Sequence, residues 1–127
     1  MKYLLDTHVV LWTAENSPLL SNKVKAAILD ETAEKHVSIV SAWEVIIKLG
    51  TSKLQLEGGL SEFFRMIDYN GFLSLSIERD YLQQIQRLPD YHKDPFDRLI
   101  IATAITEGMT LITADENIHK YNVSYIW

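Results

Sequence analysis

Asp94-Pro95-Phe96-Asp97-Arg98-Leu99-Ile100-Ile101-Ala102-Thr103-Ala104-Ile105-Thr106-Glu107-Gly108 runs directly into Met109-Thr110-Leu111-Ile112-Thr113, and this stretch reads as a helix followed by a strand. Asp94 stands where an N-cap is wanted, and Pro95 occupies the first helical position, whose N–H has no intrahelical partner in any case. Leu99, Ile101, Ala102 and Ala104 supply an apolar face, and Gly108 lies just past the end, where the backbone often turns left-handed. Thr110 to Thr113 is short and apolar, a strand by length rather than by period.

The same alternation extends toward the N-terminus. Lys2 to Leu5 is a short apolar strand, and His8 to Glu15 carries Val9, Val10, Leu11 and Trp12 into a helix that Asn16-Ser17-Pro18 breaks. Ser21 caps a second helix with Val24, Ala27 and Ile28 on one face. His36 to Val40 is β-branched and short, a strand, and Ser41 to Leu49 is a helix stopped by Gly50. After the Gly58-Gly59 loop, Leu60 to Tyr69 is helical, Phe72 to Leu75 a strand, and Ile77 to Arg87 a helix closed by Pro89. Val123 to Trp127 supplies a fifth strand. Strands alternating with helices predict an α/β fold: a mostly parallel central sheet of four or five short strands, with helices on both faces.

Residues 1–127, 47% hydrophobic, suit one domain able to bury a core. Zero cysteine excludes disulfide frameworks, thiolate zinc sites and thiol nucleophiles. The four histidines (His8, His36, His92, His119) show no metal-ligand spacing. No apolar run reaches the roughly eighteen residues of a membrane span, and Met1-Lys2-Tyr3-Leu4-Leu5-Asp6 is too short an apolar stretch, with too early a charge, for a signal peptide, so a cytoplasmic location is expected. The formal net charge of -5 argues against a phosphate-bearing partner unless the carboxylates are clustered; two divalent cations would bring it to about -1.

Four acidic positions follow short apolar runs: Asp6, Glu44, the Asp94/Asp97 pair and Asp115. In an open α/β sheet, ligands bind beyond the ends of strands, so acids far apart in sequence can meet at one edge. Each acid also has a plain structural reading. Ser41 with Glu44, and Thr113 with Glu116, fit capping boxes; Asp6 and Asp94 fit N-caps; Asp97 suits a helix dipole. Capping does not account for the set. Glu44 in particular lies within Ile39-Val40-Ser41-Ala42-Trp43-Glu44-Val45-Ile46-Ile47, where a carboxylate is costly unless paired or metal-bound.

Leu4-Leu5-Asp6-Thr7-His8, Ser41-Ala42-Trp43-Glu44, His92-Lys93-Asp94-Pro95-Phe96-Asp97-Arg98 and Leu111-Ile112-Thr113-Ala114-Asp115, in that order, resemble the PIN domain, and more narrowly the VapC-type ribonuclease toxins of toxin–antitoxin modules. The resemblance implies a three-layer α/β/α fold and a metal-dependent endoribonuclease that cleaves RNA phosphodiester bonds. It implies Asp6, Glu44, Asp97 and Asp115 as catalytic residues and ligands of one or two Mg²⁺ or Mn²⁺ ions, a cognate antitoxin and a homodimer.

Hydroxyls of Thr7 and Thr113 suit supporting bonds to the carboxylates, and Asp94, already accounted for as a cap, supports the site from behind. Arg98 points about 100° away from Asp97 around the helix, so phosphate contact by Arg98, or by Lys93, is a secondary expectation. His8 and His92 are expected in solvated or capping roles, Lys48 and Lys53 as solvated lysines, and Trp12 and Trp43 in the core or a partner groove. Ile46, Ile47, Leu54 and Leu56 suit either a partner surface or the core. Two other functions fit less well. A phosphatase or phospho-acceptor domain with Asp6 as nucleophile would want an Asp at position 8, which is His8, or a basic residue after a C-terminal strand. A non-catalytic PIN-like module would not require all four acids.

Overall fold

The computed structural model describes residues 1–127. Five strands form one sheet: β1 (Lys2–Leu5), β2 (Glu34–Ser38), β3 (Leu73–Leu75), β4 (Thr110–Ile112) and β5 (Tyr125–Ile126), in the order β3-β2-β1-β4-β5. Every neighbouring pair is parallel, with Leu4 opposite His36 and Leu111. Six helices connect them: α1 (Thr7–Ala14), α2 (Asn22–Leu29), α3 (Ile39–Gly50), α4 (Gly59–Tyr69), α5 (Arg79–Arg87) and α6 (Pro95–Glu107).

Side-chain alternation along the strands sorts the helices into two layers. Leu4 and Leu5 are both fully buried but on opposite sides, as are Leu111 and Ile112. Leu5 and Ile112 pack with Val9, Val24, Val45 and Phe63 from α1, α2, α3 and α4. Leu4 and Leu111 pack with Tyr81 of α5 and with Leu99, Ile100 and Ile101 of α6. The result is helix, sheet, helix, and each fully buried leucine or isoleucine contributes roughly 1.5–3 kcal/mol through removal from water.

The strand order reverses at β1. From β1 the chain builds outward through β2 to β3, then returns by way of α6 to place β4 on the other flank of β1. The crevice beyond the carboxyl ends of β1 and β4 is therefore the topological switch point, where a doubly wound sheet leaves room for a ligand.

Local chemistry departs from the sequence expectations at two helix starts. The strand expected over His36 to Val40 ends at Ser38, because the Ser38 hydroxyl accepts the Val40 N–H at 3.2 Å and α3 begins at Ile39. Ser41 is thus already helical and its expected capping box with Glu44 does not form. After β4 no helix opens at Asp115. The Thr113 hydroxyl accepts the Asp115 N–H (3.1 Å), Asp115 Oδ1 accepts the Asn117 N–H (2.8 Å), and a single 3₁₀ turn follows over Ile118–Lys120. At α6 the expectation holds: Asp94 Oδ1 accepts from Phe96 N (2.8 Å) and Asp97 N (3.2 Å), and Gly108 takes φ +65° at the C-cap. No helix is long and apolar enough to cross a membrane.

Candidate active site

Asp6, Glu44, Asp94, Asp97 and Asp115 line one cleft of about 280 Å³ at the switch point, together with Lys48, His8 and Trp12. Four separate segments deliver them: the end of β1, the second turn of α3, the first turn of α6 and the loop after β4.

Asp6 is the N-cap residue of α1 by position, yet its side chain makes no capping bond. Its Oδ2 instead accepts a 2.9 Å hydrogen bond from the Thr113 hydroxyl across the β1–β4 seam. Because Thr113 also receives the Asp115 N–H, one hydroxyl ties two acid-bearing segments together. Thr7 Oγ1 lies 2.7 Å from Glu44 Oε1 and 2.8 Å from Ser41 Oγ. A carboxylate only accepts, so the single Thr7 proton goes to Glu44 and the Ser41 hydroxyl supplies the other contact. Lys48, one turn along α3, places Nζ 2.6 Å from Glu44 Oε2.

On the other side of the cleft, His92 Nε2 sits 2.9 Å from Asp97 Oδ2 and 3.0 Å from Asp115 Oδ2. Neighbouring groups fix the segment that carries it. The Tyr121 hydroxyl accepts the His92 N–H (2.9 Å) and donates to the Pro89 carbonyl (2.8 Å), while Arg98 donates to the carbonyls of Pro89, Ile85 and His92.

The electrostatics are those of concentrated negative charge. Burial pushes the Asp97 carboxyl up to about 8, and Asp6, Asp94, Glu44 and Asp115 all add to the rise. Burial also raises Asp6, against the Thr113 hydrogen bond and the nearby His8. Asp115 ends below its ordinary value because bonds from His92 and Asn117 outweigh partial burial. Lys48 ends above its own: burial opposes its charge, but Glu44, then Asp97 and Asp94, sustain it.

Residues 3–123 match the family model described as the PIN domain. The chain belongs to the PIN domain family. It is 28% identical over 119 residues to the Mycobacterium tuberculosis protein named Ribonuclease VapC22, covering 93% of this chain and 90% of that one. Among solved structures, VapBC2 from Rickettsia felis bound to a promoter DNA fragment superposes with a TM-score of 0.74 at 15% identity, over 100% of this chain and 99% of that one. DNA-bound VapBC from Salmonella typhimurium gives 0.68 at 15% identity, over 99% and 97%. At such identities the likeness is one of fold.

The donor set of this PIN domain suits a hard divalent cation. Its cleft offers carboxylate oxygens and no thiolate, and Asp97 is raised first by burial and further by the four carboxylates around it. Arg98, Leu54, Leu56, Trp43, Ile46 and Ile47 do not line the cleft. Arg98 is engaged by backbone carbonyls and Tyr121, so its guanidinium serves the fold and the expected phosphate contact finds no geometric support. Lys93 is exposed beside the cleft. Leu54 and Leu56 pack against the core, whereas Ile46 and Ile47 are exposed on α3 along with Trp43, which meets Phe96 edge-on at 5.4 Å. Trp12 is half-buried and packs near Trp127.

Two groups at the cleft carry more than the sequence reading gave them. Lys48 had a signal in its i,i+4 spacing from Glu44. His92 had none beyond proximity to Asp94, because its second partner, Asp115, is 23 residues away.

Proposed function

We propose that this chain is a metal-dependent endoribonuclease, the toxin of a toxin–antitoxin pair, with Asp6, Glu44, Asp97 and Asp115 as the residues that hold Mg²⁺ or Mn²⁺. The observation that carries the reading is the meeting of four carboxylates from four segments in one cleft, with Asp97 raised to about 8. The likeness to a protein named as a ribonuclease supports the choice of substrate, and the VapBC structures support a protein antitoxin as partner. One or two cations bound there would supply a deprotonated water and neutralise charge on the phosphoryl oxygens.

The protein's own groups hold the carboxylates in place. Thr113 fixes the orientation of Asp6, and Thr7 with Lys48 fixes Glu44. Lys48 also presents a cation at the cleft rim, suited to a non-bridging phosphate oxygen once Glu44 is engaged elsewhere. Asp94 caps α6 and so orients Asp97, three residues on, from behind. An antitoxin segment that silences the enzyme would carry a basic side chain into this acidic cleft while apolar residues cover the exposed stripe of Trp43, Ile46 and Ile47.

The deciding experiment follows Mn²⁺-dependent thermal stabilisation and cleavage of single-stranded RNA by the parent and by Asp6→Asn. The reading requires a Mn²⁺-dependent rise in melting temperature and RNA cleavage in the parent, both lost in the variant. A parent that ignores millimolar-range Mn²⁺ and leaves RNA intact removes it.

A further inference from the structure

Resting on the nuclease reading above, we infer that His92 is a positioning residue that clamps Asp115 against Asp97, its Nε2 hydrogen-bonded to Asp115 and in close contact with Asp97, and is not itself a ligand of the ion they hold. His92, Asp97 and Asp115 present donor atoms close enough together to read at first as a three-ligand metal group. The hydrogen-bond pattern assigns the histidine differently. Its Nδ1 accepts the backbone N–H of Asp94 at 3.2 Å, so that nitrogen carries the lone pair. With Nδ1 accepting, the ring proton sits on Nε2, the atom hydrogen-bonded to Asp115 Oδ2 at 3.0 Å and lying 2.9 Å from Asp97 Oδ2. A ring nitrogen holding a proton donates a hydrogen bond and has no lone pair for a cation.

The clamp is held on its other sides as well. Tyr121 takes the His92 N–H and Arg98 the His92 carbonyl, so the backbone cannot follow the ring away from the cleft without breaking both. Asp97 rides on the rigid α6, whereas Asp115 lies in the turn after β4, held by the Thr113 hydroxyl and by its own bond to Asn117. Two carboxylates on independently anchored elements repel one another. The imidazole between them sets their separation before a cation arrives, and loss of its bond to Asp115 lets that turn move outward. Hydrogen-bonding partners of metal-binding carboxylates commonly contribute about 10- to 100-fold to metal affinity.

The test is a Mn²⁺ titration read by electron paramagnetic resonance on the parent, His92→Leu and His92→Gln, with circular dichroism to confirm folding. Glutamine keeps an N–H donor at the end of its side chain; leucine does not. The expected result is a loss of affinity of about 10- to 100-fold in His92→Leu, recovery of most of it in His92→Gln, and no ¹⁴N coupling of directly bonded strength assignable to His92 in the Mn²⁺-loaded parent. Unchanged or tighter binding by a folded His92→Leu overturns the clamp. So does a directly bonded nitrogen signal that disappears in His92→Gln, which would make the imidazole a ligand. If His92→Leu does not fold, the glutamine variant and the nitrogen signal still decide. A parent that binds no Mn²⁺ overturns both the clamp and the nuclease reading, whereas a parent that binds with an indifferent His92→Leu overturns the clamp alone.

Discussion

Asp6 and Glu44 differ from Asp97 and Asp115 in what holds them. The first two are 7% and 4% exposed, and each takes a hydrogen bond from a buried threonine hydroxyl on the scaffold of β1, α1 and β4. Asp97 and Asp115 are more open, and both rely on a histidine in the loop before α6. One half of the cluster is fixed by core packing, which changes only if the fold changes. The other half is fixed by polar contacts at a loop, which are individually weaker and can be altered one at a time. The cleft is thus rigid on one side and adjustable on the other.

The largest expected effect comes from removing a charge in either half. Asp6→Asn and Asp97→Asn should each lower RNA cleavage by more than about 100-fold, beyond the range typical of supporting contacts. In chelator, Asp6→Asn should raise the melting temperature by a few degrees, the equivalent of about 1 kcal/mol of relieved repulsion. A fall in the melting temperature would mean that Asp6 is mainly structural and the comparison misplaced.

Next in size is a pH effect carried chiefly by Asp97 in the open half, with Asp6, also raised by burial, acting in the same direction from the rigid half. A carboxyl raised from 3.8 to about 8 in the folded protein binds its proton more tightly folded than unfolded. Its contribution to stability is therefore present in full below pH 3.8 and is lost as pH rises through about 8. Denaturant unfolding of the metal-free parent should show stability declining across that window from this group, with the decline much reduced in Asp97→Asn. Saturating Mn²⁺ should oppose it, since cation binding favours the ionised carboxylate.

Arg98→Ala should act on the same half from a distance. Losing a charged donor to several carbonyls costs roughly 1.5–3 kcal/mol in unfolding free energy, and releasing the His92 loop should weaken Mn²⁺ binding as well. Unaltered Mn²⁺ affinity in the folded variant would show that the loop does not set the Asp97–Asp115 geometry. Thr113→Val, in the rigid half, should cost about 1 kcal/mol in denaturant unfolding, through loss of the hydroxyl between Asp6 and the Asp115 amide. The smallest change is expected for Asp94→Asn, which should keep most cleavage because asparagine caps a helix about as well as aspartate. Loss as complete as that of Asp97→Asn would place Asp94 among the groups that touch the ion.

The alternation of short apolar runs with amphipathic segments made the layered fold legible, because buried parallel strands and their covering helices impose different local patterns. Helix α6 was legible to the residue, since Asp94, Pro95 and Gly108 act through local backbone chemistry. The start of α3 was not. Ile39 and Val40 look like strand by propensity, yet the Ser38 cap and the burial of Val40 against Leu4 draw them into a helix. Glu44 stood out because a carboxylate in an apolar run asks for a partner, but that its partners are Thr7 and Lys48 is a matter of tertiary placement. His92 and Arg98 exchanged importance for the same reason: one reaches a turn after β4 and the other the loop behind it, and neither distance is written in local spacing.

The bond between Thr113 and Asp6 spans 107 positions, and this has a consequence in time as well as in space. During synthesis, Asp6, Glu44 and Asp97 are all made before β4 is available to pair with β1. Until that strand inserts, Asp6 lacks its hydroxyl partner and Asp115 has no place at the cleft, so the centre cannot assemble stepwise from the N-terminus. It forms late, through contacts of long sequence separation that are slow to close. Whatever chemistry the cleft performs is therefore withheld from a growing chain and begins only with the closed domain.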